Sequence, residues 1–182
     1  MKIALFFGSF NPITNGHLHI ADMASEYVDE VWFVVSPHNP HKPSNILVDQ
    51  WYRFEMVKLA TEHNPKYRAS DVEFYMPTPS YTHLTLEKLT QKYDHEFFLI
   101  LGSDCVNKIH TWKNGEWIVN NFPIIAFKRN NESIEPQVFK KLESTSVLSS
   151  TDVRNNITAG KSIKNMVPSP VEQYIYANGL WK

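Results

Sequence analysis

A chain of 182 residues, 42% hydrophobic and 20% charged, has the size and composition of one globular domain, which excludes wholesale disorder and any need for covalent staples. Lys and Arg total 18 against 19 Asp and Glu, a formal net charge of −1, so the broad positive field of sequence-independent nucleic-acid binding is missing. The one cysteine, Cys105, excludes an intramolecular disulfide and a Cys-based zinc cage.

In chain order, the first element is the apolar run Ile3–Phe7, broken at once by Gly8-Ser9-Phe10-Asn11-Pro12. It is too short for a signal peptide or a membrane span, so a strand in a soluble, cytoplasmic protein is expected. Leu18, Ile20, Ala21, Ala24 and Val28 fit one face of a helix opening near Asn15-Gly16. Val31–Val35 is a second strand run, ending at Ser36-Pro37, and Trp51, Phe54, Met56, Val57, Leu59 and Ala60 form a helical face after Asp49, a capping residue. Leu84, Leu86 and Leu89 suggest a third helix. Phe97–Leu101, ending at Gly102-Ser103, and Pro123–Phe127 supply two more strands, and Pro168–Tyr176 reads as a terminal helix with proline in its first turn.

The strand runs are continuously apolar rather than alternating, the pattern of strands covered on both faces. Strand and helix in alternation predict an α/β fold, a doubly wound, mostly parallel sheet of five or six strands within one domain spanning residues 1–182. Ligands of such sheets sit beyond the carboxyl ends of the strands, which directs attention to Gly8–His17, Ser36–Lys42 and Gly102 onward.

After the first strand, Gly8 would let a ligand approach the backbone, Pro12 stiffens the loop, and Asn15-Gly16 delivers a helix whose first amides can receive an anion. His17, in that first turn, can donate to a phosphate oxygen. The stretch Gly8 to His17 resembles the G-x-F-x-P-x-[HT]-x-G-H signature of the nucleotidyltransferase superfamily, which moves a nucleotidyl group from a nucleoside triphosphate to a phosphate or similar acceptor. Most pyridine-nucleotide members carry histidine where Thr14 stands, whereas threonine is common in phosphopantetheine adenylyltransferase.

Near the other end, Ser149-Ser150-Thr151-Asp152-Val153-Arg154 resembles the superfamily's second signature, S-[ST]-[ST]-x-x-[RK]: a capped helix start facing an anion, with an arginine one turn later. Four further stretches resemble bacterial nicotinate mononucleotide adenylyltransferases: Ser36-Pro37-His38-Asn39-Pro40-His41-Lys42, Arg53-Phe54-Glu55-Met56, Pro79-Ser80-Tyr81-Thr82 with Thr85 and Leu86, and Gly102-Ser103-Asp104 with Trp112 eight residues on.

The resemblance implies a Rossmann-like nucleotidyltransferase fold whose helical C-terminal part, about residues 148–182, closes over the phosphates of ATP. It implies an ATP site of Gly8, Ser9, Phe10, Gly16, His17, Gly102, Asp104, Ser149, Ser150, Thr151 and Arg154. His17, Thr14 and Arg154 would be catalytic, the first two on the α-phosphate and the last on the β and γ phosphates. Mg2+ would bridge those phosphates. Lys42, Ser80, Tyr81, Thr82 and Trp112 would bind the acceptor: Lys42 its phosphate, Trp112 the pyridine ring, and amides at Tyr81–Thr82 the carboxylate. Asp104 would accept from a ribose hydroxyl.

The implied reaction joins ATP and nicotinate mononucleotide into nicotinate adenine dinucleotide with release of pyrophosphate, in NAD biosynthesis. The partners are small molecules, with no nucleic acid and no membrane, and a homo-oligomer is left open. Phosphopantetheine adenylyltransferase and a non-catalytic nucleotide sensor remain as alternatives, both because of Thr14. His38 and His41 are expected to be solvated, Cys105 inert, and His83 solvent-facing or capping a neighbour.

Overall fold

The computed structural model describes residues 1–38, 46–129, 132–143 and 148–182. Six parallel strands run in the order β3-β2-β1-β4-β5-β6: β1 Lys2–Gly8, β2 Glu30–Val35, β3 Tyr67–Ser70, β4 Glu96–Gly102, β5 Ile124–Phe127 and β6 Lys140–Leu142. The expected four strand runs are the inner ones. The two that the sequence reading did not mark, β3 and β6, are the sheet's edges.

Alternate residues of each inner strand feed two separate cores. On one face Ala4, Phe6, Val31, Phe33, Phe98 and Ile100 pack with Ile20 and Ala24 of α1 (Asn15–Ala24), Met56 and Val57 of α2 (Gln50–Thr61), Val153 of α6 (Ser150–Thr158) and Val171 of α7 (Ser169–Ala177). On the other face Ile3, Leu5, Val34, Leu99 and Leu101 pack with Leu86 and Leu89 of α3 (Thr82–Lys92), Val106 of α4 (Ser103–Val106) and Ile118 of α5 (Gly115–Asn121). Covering both faces is why these strands read as unbroken apolar runs.

Local chemistry sets the helix starts. Asp49 caps α2 by accepting from the Trp51 amide, as expected. The first helix stops at Ala24 rather than running on to Val28, which is buried in the turn leading into β2. Among the described residues no helix is long and apolar enough to cross a membrane.

The strand order reverses between β1 and β4, which pair in register from Lys2 with Glu96 to Phe6 with Ile100. The loops leaving these two neighbours must diverge to opposite faces, so a crevice opens beyond Gly8 and Gly102.

Candidate active site

The loop after β1 folds on its own aromatic residue. Phe10 has φ +46° and is 2% exposed, its ring edge-on to Phe6 and packed near Phe33. A Cβ on Gly8 would lie 2.8 Å from that ring. Gly8 therefore leaves room for Phe10 rather than for a ligand, and Phe10 is core. What this loop offers a ligand is its backbone and His17.

Thr14 caps α1. Its Oγ1 accepts from the His17 N–H at 3.3 Å, and its own N–H donates to Nδ1 of His17 at 3.0 Å, completing a capping box. A ring nitrogen that accepts a backbone N–H carries no proton, so the neutral imidazole holds its proton on Nε2. The edges of Phe10 and Phe6, with ring centroids 5.2 and 5.9 Å away, confine the ring further. Thr14 itself is fully buried. Its hydroxyl serves the cap and lies 2.9 Å from Nδ1 of His17.

Gly16 is buried in the first turn beside them.

The second signature comes to the same loop. Arg154 donates from Nη1 to the Asn11 carbonyl at 2.9 Å and from Nη2 to Oγ1 of Thr151 at 3.2 Å, and the Ser150 hydroxyl donates to the Pro12 carbonyl at 2.7 Å. Partial burial lowers the Arg154 pKa from that of a free guanidinium. Ser149 forms a capping box with Asp152, whose carboxylate lies 2.6 Å from the Ser149 hydroxyl and is held more acidic by it. The hydroxyls of Ser149, Ser150 and Thr151 are thus all engaged within the protein. What this helix start presents to an anion is its leading amides and the remaining N–H groups of Arg154.

At the end of β4, Ser103 is fully buried and its hydroxyl both accepts from the Arg129 amide and donates to the Arg129 carbonyl, at 2.9 and 3.2 Å. Asp104 meets Arg129 at 3.4 Å through Oδ2. Its Oδ1 is buried with no hydrogen-bond partner among the described residues. A Cβ on Gly102 would lie 2.6 Å from that oxygen, so glycine is needed there for the carboxylate to fold back over the strand end. A buried acceptor without a donor at the switch point suits a ribose hydroxyl.

Of the acceptor residues, Lys42 and its neighbour His41 lie outside the described residues. Ser80 donates its amide to the His38 carbonyl at 3.0 Å, joining the loop after β2 to the segment before α3. Tyr81 is the N-cap of α3 and makes no side-chain capping bond, so no side chain at the cap competes for the first amides of the helix. Trp112 follows a 3-10 turn, Ile109–Thr111, and is half-buried against the second core. The ammonium of Lys113 stands 4.9 Å over the Tyr81 ring, which brings the Trp112 turn up to the head of α3.

His83 is 4% exposed, contrary to the expected solvent-facing position, because it lies in the first turn of α3 on the side facing the sheet.

Three residues whose roles the sequence did not disclose hold these pieces together. Arg53 is 1% exposed and donates to the carbonyls of Ser9, Ser36, Pro37 and Val48 at 2.7, 2.7, 3.0 and 2.9 Å. Burial lowers its pKa to about 10. Arg129 pairs with Asp104, and Glu73 binds Ser36 and Thr85. Among the described residues no three His, Cys, Asp or Glu side chains gather as a metal site.

The sheet order, with segments from both ends of the chain joined at its switch point, is the arrangement the two signatures imply for a nucleotidyltransferase. Residues 5–156 match the family model described as Cytidylyltransferase-like. Curated relatives named probable nicotinate-nucleotide adenylyltransferase are 43% identical, that of Flavobacterium johnsoniae over 100% of both chains and that of Cytophaga hutchinsonii over 96% of this chain and 95% of its own. Among solved structures, the fold is similar to Plasmodium falciparum nicotinic acid mononucleotide adenylyltransferase complexed with NaAD, with a TM-score of 0.84 and 23% identity over 99% of this chain and 97% of that one. A second structure of that protein, complexed with APC, gives a TM-score of 0.79 at 23% identity over 99% and 96% of the two chains. The chain belongs to the nicotinate-nucleotide adenylyltransferase family.

Proposed function

We propose that this protein transfers the adenylyl group of ATP to nicotinate mononucleotide, forming nicotinate adenine dinucleotide and pyrophosphate, as a step of NAD biosynthesis. The observation that carries the reading is the pair of bonds from Arg154 and Ser150 to the carbonyls of Asn11 and Pro12, which join two segments 143 and 138 residues apart around one crevice.

The acceptor's phosphate is already an anion at neutral pH, so the reaction needs neither a protein nucleophile nor a general base. Its demand is alignment of that phosphate opposite the departing pyrophosphate, with charge on the transferring group stabilised. His17 meets that demand with a ring proton held on Nε2 by its partner at Nδ1. The α6 start and Arg154 take the β and γ phosphates, so negative charge growing on the leaving group meets a fixed cation.

Asp104 accepts from a ribose hydroxyl, and Tyr81, Thr82 and Trp112 take the nicotinate end of the acceptor. Magnesium enters as MgATP: it favours phosphate and water oxygens over an all-protein cage, which agrees with the side chains at the crevice. A reducing cytoplasm suits a chain with one cysteine.

The full-length relatives named probable nicotinate-nucleotide adenylyltransferase weigh against the phosphopantetheine reading. The test is pyrophosphate release from ATP with nicotinate mononucleotide, nicotinamide mononucleotide or phosphopantetheine. Turnover is expected with the first. Turnover only with phosphopantetheine, or ATP binding with no release on any acceptor, overturns the proposal.

A further inference from the structure

Glu73 sits on a 3-10 turn, Val72–Tyr75, that follows β3, and is 2% exposed. Its two oxygens accept from different segments: Oε2 from the Ser36 hydroxyl at 2.7 Å and Oε1 from the Thr85 hydroxyl at 2.8 Å. Among the described residues no cation pairs with it. Burying a carboxylate this way costs several kcal/mol before its hydrogen bonds are counted, and an apolar residue of like volume would pack without that cost. What the carboxylate provides is convergence, because one acceptor group fixes two donors from two segments, one on each oxygen.

Those segments are the acceptor half of the crevice. Ser36 follows β2 and leads into the Pro37-His38 loop, and Thr85 lies in the first turn of α3, just after Tyr81 and Thr82. Ser36 also presents its carbonyl to Arg53, which binds the Ser9 carbonyl of the ATP loop with the same nitrogen, at 2.7 Å each. Arg53 thus spans both halves of the crevice, whereas the contacts of Glu73 fall on one.

We propose that Glu73 is a positioning residue for the acceptor nucleotide, setting the spacing between the loop after β2 and the head of α3 without touching either substrate. This rests on the functional reading above. The carboxylate's preference for accepting only is essential to the role: a glutamine presents one acceptor and one donor group to hydroxyls that converge as donors.

The test is steady-state kinetics of wild type, Glu73→Gln, Thr85→Val and the double variant, varying each substrate in turn. Glu73→Gln is expected to raise the acceptor KM by roughly tenfold while leaving the ATP KM within about twofold, the size of one lost charge-assisted hydrogen bond. Thr85→Val, which keeps the side chain's shape, should shift the same constant by about threefold and add little in the Glu73→Gln background, since both act through one contact.

A merely structural role would lower thermal stability and the active fraction and leave both KM values unchanged. Unchanged acceptor KM in both single variants, or parallel rises for ATP and acceptor, overturns the proposal. If Glu73→Gln does not fold, Thr85→Val decides by the same criterion. Wild-type protein inactive on nicotinate mononucleotide would overturn the functional reading and this assignment together, whereas active wild type with unshifted variants overturns this assignment alone.

Discussion

The backbone N–H of Thr14 donates to Nδ1 of His17, so the residue that opens the first helix also decides which nitrogen of the catalytic ring carries its proton. The bond comes from the main chain and survives any side-chain change at position 14. His17→Ala should therefore lower kcat by roughly 10²–10³ with the ATP KM changed little, the range for loss of one preorganised transition-state donor. Thr14→Ala should cost about 1 kcal/mol of stability through the lost cap and lower kcat by much less. Steady-state kinetics and urea unfolding separate the two effects, and equal losses of kcat would contradict the division of roles.

Arg154 holds the Asn11 carbonyl, and on the proposed function it has a second task at the phosphates. Arg154→Ala is expected to raise the ATP KM at least tenfold. Lysine should restore only part of this, because a single ammonium cannot hold a loop carbonyl and a phosphate in the geometry of a planar fork. Full recovery in Arg154→Lys would show that charge alone is required.

Asp104 should matter to ATP and not to the acceptor. Asp104→Asn keeps the size of the side chain and weakens acceptance from a ribose hydroxyl, for an expected rise in ATP KM of roughly five- to twentyfold. Titration with ATP and with nicotinate mononucleotide separately checks this; unchanged ATP affinity would remove Asp104 from the site.

Burial pushes the Glu73 carboxyl above its ordinary value of 4.5, against the opposing pull of the Ser36, Thr85 and Ser80 hydroxyls. Between about pH 4.5 and the raised native value, the folded protein keeps a proton that the unfolded chain has released, so this group's contribution to stability falls as pH rises. Glu73→Gln titrates in neither state. Denaturant unfolding of the two proteins from pH 4.5 to 7 should show the variant gaining on wild type as pH increases; a constant difference would contradict the raised value.

Much of the architecture was legible because the inner strands are covered on both faces and their letters say so. The edges were not. Tyr67–Ser70 has no fully buried residue, and Lys140–Leu142 is a three-residue strand with two lysines, so neither carries an apolar signal. The site divides the same way. His17 and Arg154 stand at fixed spacings within local signatures, whereas Arg129 and Glu73 acquire their roles only from partners 25 or more and 12 to 37 positions away.

Arg53 did carry a signal. It precedes Met56 and Val57 by three and four residues and so falls on the buried stripe of α2, where a charged residue must find carbonyls or another partner. Gly8 has a packing role that its letter did not disclose, because the space beside it is filled by the Phe10 ring of the same motif.

The bonds from Ser150 and Arg154 to Asn11 and Pro12 also bear on synthesis of the chain. A ribosome makes the carbonyl of Asn11 143 residues before the arginine that holds it. A nascent or prematurely terminated polypeptide ending before residue 149 would possess the imidazole but lack the guanidinium, and its first loop would be left without that brace.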